Sequence, residues 1–134
     1  MHRLLFRLSR GRLLGRLEGQ GVLVLVTKGR KSGKPQSSPL LYFQFEEPGD
    51  LIVVASNYGQ DHHPAWYLNI AASPTVTVEA NGERFPAEAR ITQGEERAAL
   101  YDKVAAANPR FARYRAGTDR EIPVIALRRA GPQD

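Results

Sequence analysis

The sequence predicts a mainly β domain of the α+β class: a small six-stranded β-barrel, with two short helices over its openings and a helical segment ahead of it. Three observations carry this expectation. From Val22 onward the chain is a series of short apolar runs rich in β-branched residues. The runs are separated by turn chemistry, notably Pro48-Gly49-Asp50 and Asn81-Gly82. The 134 residues are 42 % apolar and 25 % charged, enough for one hydrophobic core, and they contain no internal repeat. The expected organisation is a basic helical segment over residues 1–21, the barrel over 22–129 and a flexible tail over 130–134.

Up to about Gly21 the chain alternates Arg and Leu at helical spacing. Arg3, Arg7 and Arg10 oppose Leu4, Leu5 and Leu8, but Arg12 and Arg16 fall on the side those leucines held. The polar face switches near Gly11, which predicts two short pieces or a bend. Such a segment suits a cover for the core, a basic membrane-surface anchor or substrate lid, or a cleaved presequence.

The first strand is "VLVLVTK" (22–28), whose continuous apolar run predicts burial on both faces. "SSPLLYFQF" (37–45) and "LIVVAS" (51–56) complete a three-stranded meander across the Pro48-Gly49-Asp50 turn. Pro64 opens a helix through "AWYLNIAA", which Ser73-Pro74 stops. "TVTVEA" and "RFPAEARI" flank Asn81-Gly82 as a hairpin, with Pro86 marking an edge or bulge. Thr92 and Glu95 have capping-box spacing for a helix over about 93–107, ended by Asn108-Pro109. A polar loop then leads into the last strand, "IPVIAL" (122–127).

Charge is distributed unevenly. Residues 1–34 hold nine Lys or Arg against a single Glu, whereas the remainder holds ten against thirteen acids. A localised positive field attracts an anionic partner. Its densest part is "TKGRKSGKPQ", where Lys28, Arg30, Lys31 and Lys34 crowd one bend and repel one another unless an anion or distant carboxylates occupy the centre. Gly29 and Gly33 allow backbone N–H groups to approach the same anion. The bend is no Walker loop: three residues separate its glycines and Pro35 follows Lys34. No aromatic residues interleave the lysines to stack bases, so nucleic acid is not the expected partner. A solvated hairpin tip is the plain alternative.

Other chemistries find less support. There is no cysteine, which excludes disulfides, thiolate ligands and thiol nucleophiles. His62 and His63 are adjacent and lack a companion ligand set, so no metal is expected. No nucleophile elbow is present. Asp119, Arg120 and Glu121 read as a salt-bridged strand entrance or, alternatively, a catalytic cluster. No apolar run approaches the roughly 20 residues that span a bilayer. The expected location is cytoplasmic, with residues 1–18 as a contact for the inner membrane face.

Three stretches together, "TKGRKSGKPQSSPLLYF", "LIVVASNYGQDHHPAWYLNIAASPTVTVEANG" and "YRAGTDREIPVIAL", resemble the deazaflavin-dependent nitroreductase family. Its members are small split β-barrels of the FMN-binding type that use reduced coenzyme F420. The resemblance covers nearly the whole chain and rests most on the GRKSG bend, the VAS strand end, the HPAWYxN helix start and the TDREIPV strand entry.

The resemblance implies that Lys28, Arg30, Lys31 and Lys34 hold the phosphate and oligoglutamate tail of the coenzyme, with Ser37 and Ser38 near the phosphate and ribityl chain. Pro39, Leu40 and Leu41 would pass the deazaflavin ring; Ala55, Ser56 and Asn57 would meet it at the strand end. Trp66 is either a ring contact or a core anchor. Tyr114 corresponds to a substrate-pocket tyrosine and, with Ser56, is the implied catalytic group, orienting the acceptor or donating a proton. Asn108 and Phe111 stand where nitroimidazole-reducing relatives carry tyrosines, and Asn57 where a lysine is common; these departures count against nitroimidazole activation. The implied reaction is hydride transfer from reduced F420 to a small quinone, enone or nitro-type acceptor, by a monomer or homodimer. Two readings remain beside it: an FMN-binding oxidoreductase, and a non-catalytic cofactor-binding or peripheral membrane module.

Overall fold

The computed structural model describes residues 20–130. The expected N-terminal helical segment and the last four residues therefore lie outside the described part. The strands are β1 (Gln20–Lys28), β2 (Pro35–Phe43), β3 (Leu51–Val54), β4 (Thr75–Ala80), β5 (Glu83–Ile91) and β6 (Val124–Arg129). They close into an antiparallel barrel in the order β1-β2-β3-β6-β5-β4. Helix α1 (Ala65–Ala72) joins β3 to β4, while α2 (Gly94–Ala107) and α3 (Arg110–Ala116) join β5 to β6. The β4–β5 hairpin turns at Asn81 and Gly82, both with positive φ (54° and 78°), as a tight right-twisting hairpin requires.

Two apolar layers result. Leu23, Leu25, Val53, Val78, Ile125 and Leu127 fill the barrel, with Trp66 and Ile70 of α1 closing one end. Phe43, Ile52, Val54, Val124 and Ala126 face outward and are covered by Tyr101, Val104 and Phe111 from α2 and α3. The strands buried on both faces are therefore β3 and β6. β1 does not have the double burial its sequence predicts: Leu23 and Leu25 point inward, but Val22 is 62 % exposed and Val24 and Val26 are half-buried. An unbroken apolar run reports hydrophobicity, not whether a helix lies across the outer face.

The helical count also differs from expectation. Asn108 ends α2 as predicted, its N–H donating to Val104 O (2.8 Å), but no polar loop follows. Pro109 begins α3, and the Phe111 N–H closes back on Asn108 O (3.0 Å). The structure thus has three helices among the described residues, not two beyond the N-terminal segment. Nor does the capping box form. Gln93 occupies the N-cap without a side-chain bond, and the Thr92 hydroxyl donates instead to Val124 O (2.7 Å), tying β5 to β6. Pro86 lies in β5 opposite Thr77, and its carbonyl accepts from Ala130 just past the end of β6. Its missing N–H thus faces the same side, where little strand remains to pair with.

The barrel wall parts between two neighbours. β1 and β2 pair along their full length, from Gln20 opposite Phe43 to Lys28 opposite Pro35. β2 meets β3 only at Phe43 opposite Ile52, after which β3 pairs with β6 alone. Residues 38–42 of β2 and the chain leaving β3 are left splayed.

Candidate active site

The basic bend is tightly made. The Gly29 N–H donates to Lys34 O, the Gly33 N–H to Gly29 O (both 2.8 Å), and the Lys34 N–H to Ser32 Oγ (3.0 Å). Gly29 has no room for a side chain, since a Cβ there would come within 2.8 Å of Ser32 Oγ. Gly33 adopts φ +76°. Behind the bend, the buried side chain of Asn69 from α1 uses both ends of its amide. Its Nδ2 donates to Thr27 Oγ1 (3.0 Å) and Gln36 Oε1 (2.8 Å); its Oδ1 accepts from the Arg30 N–H (3.1 Å). This fixes the loop that displays Lys28, Arg30, Lys31 and Lys34, all exposed. No carboxylate pairs with any of the four among the described residues. The asparagine was visible in the HPAWYxN pattern, yet its role emerges only when the helix packs beneath the bend.

From the bend, β2 runs about 20 Å along its length to Leu41, at roughly 3.3 Å per residue. There it forms one wall of a cleft of about 330 Å³. Ser38, Pro39, Leu40 and Leu41 line that wall; Val54, Ser56, Asn57 and Tyr58 line the other side of the split; Trp66, Phe111 and Tyr114 close the ends. Nine residues singled out from the sequence for the site thus meet at this cleft: Ser38, Pro39, Leu40, Leu41, Ser56, Asn57, Trp66, Phe111 and Tyr114. Trp66 serves both roles considered for it, being packed into the barrel core and lining the cleft. Ala55 is fully buried and does not line the cleft. Lys34 and Ser37 are exposed between bend and cleft.

Tyr114 stands on α3 in an aromatic row, edge-on to Phe111 (5.4 Å between centroids) and to Tyr58 (6.5 Å). Neither its hydroxyl nor that of Ser56 is hydrogen-bonded among the described residues. Beneath α3, the buried Tyr101 hydroxyl donates to Phe111 O (2.7 Å), and burial pushes its pKa up to about 12. Arg110, overlooked in the sequence, is the one charged side chain lining the cleft among the described residues.

The chain leaving β3 makes an unusual turn. Asn57, Tyr58 and Gly59 have φ of 49°, 59° and 80°. Left-handed conformation costs an L-residue roughly 1–2 kcal/mol, so two such residues in succession need outside support. Arg120 supplies it. Its guanidinium donates to Ala55 O (3.1 Å) and Ser56 O (2.7 Å) before the turn, to Gln60 O (3.1 Å) after it, and contacts His63 Nδ1 at 2.8 Å. Burial, reinforced by the Arg120 charge, holds the His63 pKa below its ordinary value, consistent with a neutral ring accepting at Nδ1. The strand-entrance ion pair expected here is made by Glu121 with Arg97 (3.1 Å), not by Arg120.

A second crevice, about 380 Å³, lies between the β2–β3 loop and α2. Its two arginines are paired with its carboxylates: Arg90 with Glu96 (2.7 Å) and Asp50 (4.0 Å), and Arg128 with Asp50 (3.6 Å). The smaller cleft, with hydroxyls unbonded among the described residues and a mainly apolar lining, is the better candidate for a reaction site. No group of three or more His, Asp or Glu residues forms a metal-binding set among the described residues, and none of their helices is long and apolar enough to cross a membrane.

A closed six-stranded barrel, parted beside an aromatic cleft, is a split barrel of the FMN-binding type, here with a cationic bend that no carboxylate pairs among the described residues. Over residues 1–129 the chain matches the F420H(2)-dependent quinone reductase family, and it belongs to that family. An F420H(2)-dependent quinone reductase of Mycobacterium tuberculosis, Rv1261c, is 33 % identical over 134 residues, covering 96 % of this chain and 88 % of the relative. Rv3178 of the same organism is 38 % identical over 106 residues, 79 % of this chain and 87 % of that protein. A solved structure of an F420-H2 dependent reductase (FDR-A) superposes with a TM-score of 0.69 at 39 % identity, covering 79 % of this chain and 92 % of its own. The protein is therefore an oxidoreductase that uses reduced F420 and acts on small quinone-type acceptors.

Proposed function

We propose that the two ends of β2 divide the coenzyme between them: the bend takes its polyanionic tail and the cleft its tricyclic head, with the quinone held against Tyr114. One observation carries this reading. A single strand joins four cations, unpaired with any carboxylate among the described residues, to a tyrosine-capped cleft. The residues present fit the coenzyme in charge and in lining: the bend offers four cationic side chains, its Gly29, Arg30, Gly33 and Lys34 N–H groups being bonded within the protein rather than open to an anion as expected, and the cleft walls are mostly apolar.

In that arrangement Arg30 is the best phosphate ligand because its guanidinium binds oxygens in pairs, whereas Lys28, Lys31 and Lys34 act as mobile point charges on the carboxylates. The reduced coenzyme supplies the hydride. The Ser56 hydroxyl donates to a ring or quinone carbonyl. Tyr114 orients the quinone and presents a proton to the oxygen that gains negative charge, so that a quinone receiving a hydride leaves as the neutral hydroquinone. Phe111, Trp66 and Leu41 limit access of water to the reacting atoms. The Arg-Leu pattern of residues 1–18 supports peripheral contact with an anionic membrane surface, which flotation with anionic vesicles tests.

Fluorescence titration of the protein with F420 and, separately, with FMN tests the assignment. F420 should bind more tightly, because the short FMN phosphate cannot reach all four cations. Lys31→Glu combined with Lys34→Glu should weaken F420 binding at least about tenfold at low salt and flatten its salt dependence, since attraction between exposed charges is screened over about 10 Å at 0.1 M. Unchanged affinity would remove the tail from this bend.

A further inference from the structure

We infer that Arg120 is a positioning residue for the acceptor side of the cleft, stapling the left-handed Asn57–Gly59 turn so that Ser56 and Tyr58 stand opposite Tyr114. The inference rests on the functional reading above for its kinetic consequences, but not for its structural ones.

Four contacts converge on one guanidinium from chain positions 57–65 residues away, and none is a carboxylate. Arg120 is thus held for shape rather than for charge neutralisation. It grips the main chain on both sides of the turn, at Ala55 and Ser56 before and at Gln60 after. Among the described residues, the turn's own backbone bonds are two, Gly59 N–H to Ser56 O (2.8 Å) and Gln60 N–H to Asn57 O (3.1 Å). The turn is also seated against α3: a Cβ on Gly59 would come within 3.3 Å of Tyr114 Cα and Cδ1. A shift of the turn therefore changes the gap between the Ser56 hydroxyl and the Tyr114 ring, where the acceptor has to fit. Lysine cannot replace the staple, because a single ammonium does not span carbonyls that a planar fork bridges. The cationic bend lies at the far end of β2 and shares no bond with the clamp.

The test uses Arg120→Lys. In cofactor-free protein, the Gly59 and Gln60 amides should exchange with deuterium about tenfold or more faster, while amides in the β1–β4 pairing keep their rates. With cofactor and a quinone, kcat/KM for the quinone should fall on the order of tenfold, while the F420 dissociation constant rises by a clearly smaller factor, because the coenzyme tail stays on the bend. Unchanged turn amides, or equal acceleration of every amide, would overturn the inference, as would a loss of F420 affinity matching the loss in kcat/KM. Should Arg120→Lys not fold, His63→Leu removes one of the four contacts; the same pattern at smaller amplitude is expected, and its absence counts equally against the proposal. Failure of the wild-type protein to bind F420 would instead defeat the functional assignment and leave the exchange result standing.

Discussion

Among the described residues, the Ser56 and Tyr114 hydroxyls at the cleft make no hydrogen bond, which leaves both able to bond a ligand. Tyr114→Phe should lower kcat/KM for a quinone by about tenfold to a hundredfold, within the ordinary range for a lost proton donor, without changing F420 affinity. An unchanged rate would leave protonation to solvent. His63 offers a check that needs no cofactor. Its pKa is lowered from the usual 6.5 in the folded protein, so the unfolded chain binds its proton more readily. The stability it contributes is present above pH 6.5 and is lost as pH falls through the lower folded value. Urea midpoints should drop between pH 7.5 and 5, and His63→Gln should reduce that drop. Tyr114 and Ser56 could be named from the sequence because the motifs around them are distinctive. Arg120 and Asn69 were visible letters whose function depends on what lies about 60 and 40 residues away.

The elements that differ from expectation are those whose environment is set by a neighbour. α3 was read as a loop because seven residues after an Asn-Pro pair look like the end of a helix. The overlooked signal was the i, i+3 spacing of Phe111 and Tyr114 behind a proline suited to a helix start. The helix is pinned to α2 through the Tyr101 hydroxyl. Tyr101→Phe should cost about 1 kcal/mol, the usual net value of such a bond, and should loosen α3 before the barrel. The folded pKa of Tyr101 is raised, to about 12, so wild-type protein keeps this contribution below pH 10 and loses it as pH climbs through 12. Chemical denaturation of both proteins at pH 8 and pH 11.5 would show the wild-type advantage shrinking. By contrast, the Asn81-Gly82 hairpin and the "LIVV" and "VIAL" strands were legible because local turn chemistry and local apolarity settle them.

At the scale of the whole molecule, the number of strands and the position of the bend follow from alternating hydrophobic runs and turns. Ring closure does not: β1 pairs with β4 through three residue pairs, Val24–Glu79, Leu25–Val78 and Val26–Thr77, which no local pattern announces. Nor does the parting between β2 and β3. That parting has a consequence for anyone mapping the enzyme by mutagenesis. Along Ser38–Leu41 the main-chain groups that face away from β1 have no β3 ladder to join, Pro39 having no N–H to give, and under the proposed placement of the coenzyme they would offer its ring the donors and acceptors a missing strand would have provided. Substitution to alanine keeps every one of those groups, so Leu40→Ala and Leu41→Ala should dent cofactor affinity only modestly while the segment remains indispensable. Amide-to-ester replacement in the backbone at these positions would expose a dependence that side-chain scanning leaves invisible.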